Sequence, residues 1–365
     1  MAKVIVRKVD EYDETKIEKI LEENKDFILS GLNTNDKVLV KPNFLSYNPP
    51  DKAVTTHPVF IKTVVKFLLK NSIQVYLGDI PGRSMGISKL IELSGLTQLE
   101  DSNLKIEDLG IYGFRSIGKS VNDVELKVPS ILWDVKKIFN LPKMKTHSLT
   151  FISGATKNLF GLTPRKDRLN IHSISDPVKF SKVLIDINKL LPSQQIVIMD
   201  GIVGMEGDGP SFGNPVKYNS IIISDDPLSS DYVMSKIMGF DINEIPLFKI
   251  DYNFADLEID GNIEELIKVS EKPKTYLISF KTTSKIASFF YKYLGEYIQP
   301  KPFVDKNKCI KCGICASKCA GKAITLNPYP VIDRDKCVLC YCCHELCPQG
   351  AIYLKRNILS KIVKT

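Results

Sequence analysis

The chain has 365 residues, 44% of them hydrophobic and 25% charged, which suits two or three globular domains with buried cores. No run of about 18 apolar residues occurs, so no membrane span is expected, and "MAKVIVRKVDEYDE" lacks the apolar stretch of a secretory signal. A cytoplasmic location is the expectation. The charge is uneven: residues 301–365 hold 12 Lys/Arg against 4 Asp/Glu, whereas residues 1–300 hold 38 of each sign. A basic end can signal nucleic acid. Here no other nucleic-acid signature accompanies it and all nine cysteines lie in the same stretch, so nucleic acid is disfavoured.

In chain order, "KVIVRKV" and "DKVLVKPNF" read as strands. "HPVFIKTVVKFLLKNS" has helical apolar spacing with Pro58 near its start, and "IQVYLGDI" is a strand ending in a turn. "GISKLIELSGL" is helical, and "VELKVPSILW" and "KKIFNLPK" are strands. "DPVKFSKVLIDINKLLP" is an amphipathic helix followed by the buried strand "QQIVIMDGIVG". "NSIIISDDPLSSDYVMSKIMGF" repeats strand, loop and helix. Alternation of this kind predicts an α/β domain with a largely parallel sheet over residues 1–283, as one lobe or two. "SKIASFFYKYLGEYI" reads as a connecting helix within 284–300, and 359–365 is a basic tail.

Ligands of such sheets bind beyond the C-terminal strand ends. Polar residues gather at those places: Lys41 and Asn43 in "VLVKPN", His57 in "TTHP", Asp79 in "LGDIPG", and Lys143, Lys145 and His147 in "LPKMKTH". Asp200 and Glu206 follow in "MDGIVGMEGDGP". Between 143 and 168 stand Lys143, Lys145, Lys157, Arg165, Lys166 and Arg168 against the single acid Asp167, a balance that suits a small carboxylate or phosphate. "SGATKN", with Asn158 at its end, also offers backbone N–H groups at a helix start. Lys41, Asn43, His57, Lys143, Asn158, Arg165, Asp200 and Glu206 are the candidate binding residues, and Lys145, His147 and Lys157 the candidate catalytic ones. A solvated basic rim and capping or core-facing roles are the plainer readings of the same residues. The glycine-rich 201–213 stretch matches no phosphate-binding or dinucleotide-binding motif.

The cysteines carry the sharper signal. "CIKCGICASKCA" and "CVLCYCCHELCP" each contain C-x2-C-x2-C-x3-C. Three thiolates of each run can wrap one iron–sulfur cube while the fourth reaches the other. Two [4Fe–4S] clusters are therefore expected, one on Cys309, Cys312, Cys315 and Cys347, the other on Cys337, Cys340, Cys343 and Cys319. Disulfides do not suit a cytoplasmic chain, and zinc takes paired C-x2-C units rather than two runs of four. Residues 301–358 form the expected module, and 301–355 resemble the two-cluster bacterial ferredoxins, with a small α+β fold. Ala320 departs from that family's proline, which Pro348 keeps, and Cys342 is a ninth thiol, read as a small packed hydrophobe or a spare ligand.

"VKPN", "TTHP", "LPKMKTH", "SGATKNLFGL", "DGIVGMEGDGP" and "SDDPL" together resemble the domain-of-unknown-function 362 family over roughly 36–250. That resemblance implies an iron–sulfur centre protein and little chemistry. "THSLTFISGATKNLFGLTP" more distantly resembles the nickel-pincer lactate racemases, with their α/β fold. It implies that His147 and Lys157 face a pocket, with His172 where that family binds nickel. Ala155 and Thr156 replace its Gly-Arg and His57 replaces an arginine, so nickel is disfavoured. The expected activity is a ferredoxin-type oxidoreductase: clusters relay electrons from an external donor or acceptor protein to a small anionic ligand or an unidentified small-molecule cofactor, with His147 as general acid or base. An electron-carrier or assembly subunit and a racemase-like enzyme with structural clusters are the alternatives.

Overall fold

The structure is a computed structural model that describes residues 2–45, 48–80, 87, 91–92, 95–99, 101–121, 123–250, 254, 256–273 and 299–355. Nearly all of the connecting helix expected over 284–300, the 359–365 tail and most of "GISKLIELSGL" lie outside the described residues. The strands of the first part are β1 (Lys3–Lys8), β2 (Lys37–Pro42), β3 (Gln74–Asp79), β4 (Leu104–Asp108), β5 (Phe114–Lys119), β6 (Glu125–Pro129), β7 (Lys137–Leu141), β8 (Lys143–His147), β9 (Phe151–Ser153), β10 (Gln194–Glu206), β11 (Asn214–Ser224) and β12 (Glu258–Asp260). Ten of them form one sheet in the order β12, β1, β11, β10, β7, β2, β3, β4, with β8 on β10 and β9 on β8. The β7, β2, β3 and β4 neighbours are parallel, as are β10 with β7 and β8, while β11 is antiparallel to both its neighbours. The mixed α/β, largely parallel class expected from the sequence is the observed one.

Apolar triplets such as Val38-Leu39-Val40 are buried on both faces, as helix-covered parallel strands require. Helix Pro58–Lys70 covers one face. Its Pro58 sits in the first turn, and the His57 ring caps it by accepting the Val59 N–H at 3.3 Å. It buries Phe60, Ile61, Val64, Phe67 and Leu68, each worth about 1.5–3 kcal/mol of transfer free energy. Helix Pro227–Ile237 covers the other face around Met199, Tyr218 and Ile222.

One interruption positions the candidate site. Strands β7 and β8 run along β10 in sequence, separated by Pro142. A proline donates no N–H to the ladder, so pairing breaks there, although its carbonyl still accepts the Asp200 N–H at 2.9 Å. The chain beyond it restarts as β8, with Lys143, Lys145 and His147 at alternate positions sharing a face.

The C-terminal part holds β13 (Lys301–Val304), β14 (Ile324–Asn327), β15 (Tyr329–Ile332) and β16 (Ile352–Lys355). They form two antiparallel pairs, β13 with β16 and β14 with β15. Short helices Ile314–Ser317 and Cys342–Glu345 lie within the two cysteine runs, at matching places in each. This part docks on the sheet domain: the Phe212 and His344 rings lie 5.2 Å apart, and Ser148 Oγ donates to Glu345 Oε1 at 3.1 Å.

Candidate functional site

A pocket enclosing about 920 Å³ of empty space, part of it open to solvent, lies where the two parts meet. Lys41, Asn43, Asp79, Lys145, Lys157, Asn158, Phe160, Arg165, Arg168 and His172 form one wall, and Lys318, Cys342, Glu345 and Leu346 form the other. Six Lys/Arg side chains face two acids around it.

The floor is a buried polar network. Lys41 Nζ lies 2.9 Å from Asp79 Oδ1 and donates to Pro42 O at 2.9 Å. Asn158 Oδ1 accepts from Lys41 Nζ at 3.4 Å and from Asn43 Nδ2 at 3.1 Å. Its amide donates to Lys41 O at 3.2 Å and to Asn140 Oδ1 at 2.8 Å. Asn43 Oδ1 in turn accepts from Lys145 Nζ at 2.7 Å, and Val54 O does so at 2.8 Å. Gly161 leaves room for this network, since a Cβ there would stand 2.9 Å from Lys41 Nζ.

The cations differ in how they are held. Lys41 has a carboxylate partner, whereas Lys145 has only neutral acceptors. Burial, reinforced by the charges of Lys157 and Lys143, holds the Lys145 ammonium well below its ordinary pKa. Lys157 Nζ sits 6.0 Å from the centre of the Phe160 ring, and among the described residues no hydrogen bond or ion pair holds it. Burial lowers its pKa too, with Glu345 opposing. Arg168 donates to Thr163 O at 2.9 Å and Ile80 O at 2.7 Å, and burial lowers its pKa to about 10, so it stays charged. Arg165 pairs with Asp108 at 3.3 Å. His172 is neutral, its pKa lowered to about 3 by burial and then by Lys157 and Arg168.

His147 is fully buried and does not line the pocket. Its Nδ1 accepts the Leu149 N–H at 3.0 Å and the Thr150 N–H at 3.3 Å, which places the proton of the neutral ring on Nε2. Nε2 stands 3.4 Å from Glu345 Oε1 without hydrogen-bond geometry. Burial, then the Lys157 charge, pushes its pKa well below the ordinary histidine value.

The backbone N–H groups expected to meet a ligand at "SGATKN" are taken. Asp231 Oδ1 accepts from Ala155 N at 2.6 Å and Oδ2 from Thr156 N at 2.9 Å. The protein supplies its own anion there. Gly154 permits the approach, since a Cβ on it would lie 2.1 Å from Asp231 Oδ1. Burial raises the Asp231 pKa to about 7 against the pull of those two N–H groups. A carboxyl whose folded pKa is raised contributes stability that is full below its unfolded value and lost as pH rises through the folded one. Asp231→Asn is therefore expected to flatten the stability curve between roughly pH 5 and pH 8, by on the order of a few kcal/mol at most. Thermal denaturation of both proteins across that range checks it; parallel curves would rule out the titration.

Other candidates lie outside the pocket wall. Lys143 Nζ pairs with Asp200 Oδ2 at 2.8 Å, and Tyr12 OH donates to Asp200 Oδ1 at 2.8 Å. The His57 ring stacks on Tyr12 at 3.6 Å, and the His57 N–H reaches Asp200 Oδ2 at 2.9 Å. These four form one connected network in which Lys143 and Asp200 are buried and Tyr12 and His57 half-buried. Asp200 sits inside the 13-residue strand β10 rather than at its end, because the strand continues past a bulge at Gly201–Val203. Glu206 ends that strand and accepts the Glu271 N–H at 2.9 Å, and the glycine-rich residues after it join two antiparallel strands.

The cysteines lie close together in the C-terminal part. Cys309, Cys312, Cys315 and Cys347 surround one cavity with about 310 Å³ of empty space. Cys340, Cys337, Cys319 and Cys315 all act electrostatically on the Cys343 thiol, so Cys343 lies near the other members of the second set and near Cys315 of the first. Among the described residues no three His, Cys, Asp or Glu groups converge on a single metal ion. Four thiolates spread over a cube need no such convergence, so the donor set fits a cluster. The His344 ring bonds to Ile352 O, and Cys342 lines the pocket between the two parts.

Residues 38–236, more than half the chain, match the family described as "Domain of unknown function (DUF362)". The chain belongs to that family. Residues 330–353 match a 4Fe-4S binding domain, which covers the second cysteine run. This DUF362 protein is therefore an iron–sulfur protein. It is 29% identical over 219 residues to the "Thylakoid-associated protein sll1697" of Synechocystis, covering 58% of this chain and 65% of that protein, just under two thirds of the relative's length. Among solved structures, a structural-genomics protein of Thermotoga maritima is similar at TM-score 0.45 and 14% identity, over 64% of this chain and 60% of that one. The lactate racemase apoprotein of Thermoanaerobacterium thermosaccharolyticum is similar at TM-score 0.41 and 14% identity, over 63% and 56%. Likeness of that size carries no statement about chemistry. No described helix is long and apolar enough to cross a membrane.

The sequence reading missed the second wall of the pocket. Lys318 and Leu346 flank cluster cysteines, and nothing local says that they face a ligand. Glu345 carried one usable signal, as the sole acid between 336 and 355.

Proposed function

We propose that this protein relays single electrons through two [4Fe–4S] clusters to a small anionic ligand held between the sheet domain and the ferredoxin module. One observation supports the reading most: five of the pocket's six cations lie on the sheet domain, while its opposite wall is the stretch that carries Lys318, Cys342 and Glu345 among the cysteines of the C-terminal part. When bound, cysteine-held clusters supply one-electron transfer at reducing potentials. Cys309, Cys312, Cys315 and Cys347 would hold one cluster, and Cys337, Cys340, Cys343 and Cys319 the other.

The chain's own residues do the rest. Lys157 and Lys145 hold the anion: neither has a carboxylate partner among the described residues, and both are buried on the sheet-domain wall. Arg168 and Lys318 add charge at the wall, and the Lys41–Asp79 pair with Asn43 and Asn158 fixes the floor. His147 shapes the β8–β9 turn rather than acting as an acid or base at the ligand. Its Nδ1 is occupied by two backbone donors and its ring is sealed from the pocket.

Anaerobic purification with iron and sulfide quantified, and mass spectrometry of whatever co-purifies, tests the reading. About eight irons per chain and a small anion reducible by the loaded protein are expected. About four irons, or a loaded protein that binds no anion, would remove it.

A further inference from the structure

The two expected clusters are not equally covered. Each set has two buried cysteines, but Cys312 of the first set is exposed, whereas the remaining members of the second, Cys319 and Cys337, are half-buried. Three neighbours of the cysteines line the pocket: Cys342, between Cys340 and Cys343, and Lys318, next to Cys319, belong with the second set, and Leu346, next to Cys347, with the first. The first set reaches the surface at Cys312.

The surface around Cys312 has a definite chemistry. Ile310 is 60% exposed, an apolar side chain left in water. Lys306, Lys308 and Lys311 surround it in sequence and are exposed. Lys306 and Lys311 both lie over the Tyr329 ring, at 5.7 and 4.7 Å, which gathers their charges on one side. Among the described residues none of the three has a carboxylate partner. Asp305, the sole acid from 301 to 318, points its Oδ1 at the Asn307 N–H. An apolar centre with a rim of one charge sign is how a transient protein interface is steered.

We infer that this face, centred on Ile310 and Cys312 with Lys306, Lys308 and Lys311 as its rim, docks an acidic one-electron carrier protein. The inference rests on the relay reading above and gives it a direction. One electron leaves the carrier and one enters the cluster held by Cys309, Cys312, Cys315 and Cys347; no bond forms or breaks. Electrons enter at the outer set and leave at the pocket. A nucleic acid is the other occupant a lysine patch can take. The exposed Ile310 and the adjoining cluster thiolate favour a protein.

The test uses the full-length, cluster-loaded protein and flavodoxin as the acidic carrier. Carbodiimide cross-linking with oxidised flavodoxin, mapped by mass spectrometry, is expected to join Lys308 or Lys311 to flavodoxin carboxylates. The triple variant Lys306→Glu, Lys308→Glu, Lys311→Glu is expected to keep its iron and weaken flavodoxin binding at least about tenfold in calorimetry at low salt. The double variant Lys322→Glu, Lys336→Glu, also on the module, is expected to stay within about twofold. Cross-links elsewhere, or equal losses in both variants, would overturn the inference. So would binding of a single-stranded oligonucleotide as tight as that of flavodoxin. A wild-type protein that docks flavodoxin here but never reduces a pocket anion would leave the docking face standing and remove the relay reading.

Discussion

Lys157→Met is expected to weaken anion binding about 10- to 100-fold while leaving the fold as stable as before or slightly more stable. The two effects share one cause. Lys157 brings a cation to a pocket wall where no described carboxylate pairs with it and Glu345 compensates only in part, so the ligand-free protein bears a desolvation cost that a bound anion reduces further. Methionine fills similar volume without charge and keeps contact with Phe160. Lys41→Met should behave in the opposite way. It would strand Asp79 in the core and destabilise by about 3–5 kcal/mol. Calorimetry with inorganic phosphate and a short dicarboxylate, together with thermal denaturation, separates the two. Wild-type affinity in Lys157→Met would show that the lysine does not hold the ligand. The pH dependence has a fixed sign. Lys145 and Lys157 have folded-state pKa values below the ordinary lysine value, so their ammonium forms fade as pH rises toward that value. Anion binding should therefore take up protons and weaken with rising pH.

Cys343→Ala is expected to lower iron from about eight to about four per chain and to reduce electron delivery to the pocket to background. It removes a thiolate from the set beside the pocket and leaves the outer set whole. Cys342→Ser, one position away, should keep the full iron content. Cys342 faces the pocket, and the four-thiolate sets are complete without it. Iron analysis and EPR of both variants after anaerobic reduction check the pair. Equal iron loss in the two would make Cys342 a ligand and redraw the second set.

The class of the sheet domain was legible because strand and helix periods are local. "VLV" and "IVIM" are buried as expected, and Pro58 begins the helix that its position announces. The iron–sulfur character of the C-terminal part was legible for a similar reason: most of each expected set lies within seven residues of chain, and the two runs repeat one spacing. Partner choice among charges was not legible. Lys41, Lys143 and Lys145 look alike in sequence, each after a strand's apolar run or within one basic stretch. The fold gives Lys41 to Asp79, Lys143 to Asp200, and leaves Lys145 with neutral oxygens. Likewise the N–H groups of "SGATKN" seemed available until helix Pro227–Ile237 brought Asp231 onto them.

Short-range spacing thus carried the α/β class, the iron–sulfur character of the C-terminal part and the presence of excess cations near 143–168, since each depends on residues a few bonds or one helical turn apart. Which cations remain unpaired, and what faces them, depended on contacts across most of the chain. Glu345 meets Ser148 from 197 residues away, and Lys41 meets Asn158 from 117. Electrostatic pairing falls off with distance in space rather than along the chain. Only the docking of the ferredoxin module on the sheet turned a basic stretch and a cysteine-rich tail into opposite walls of one pocket.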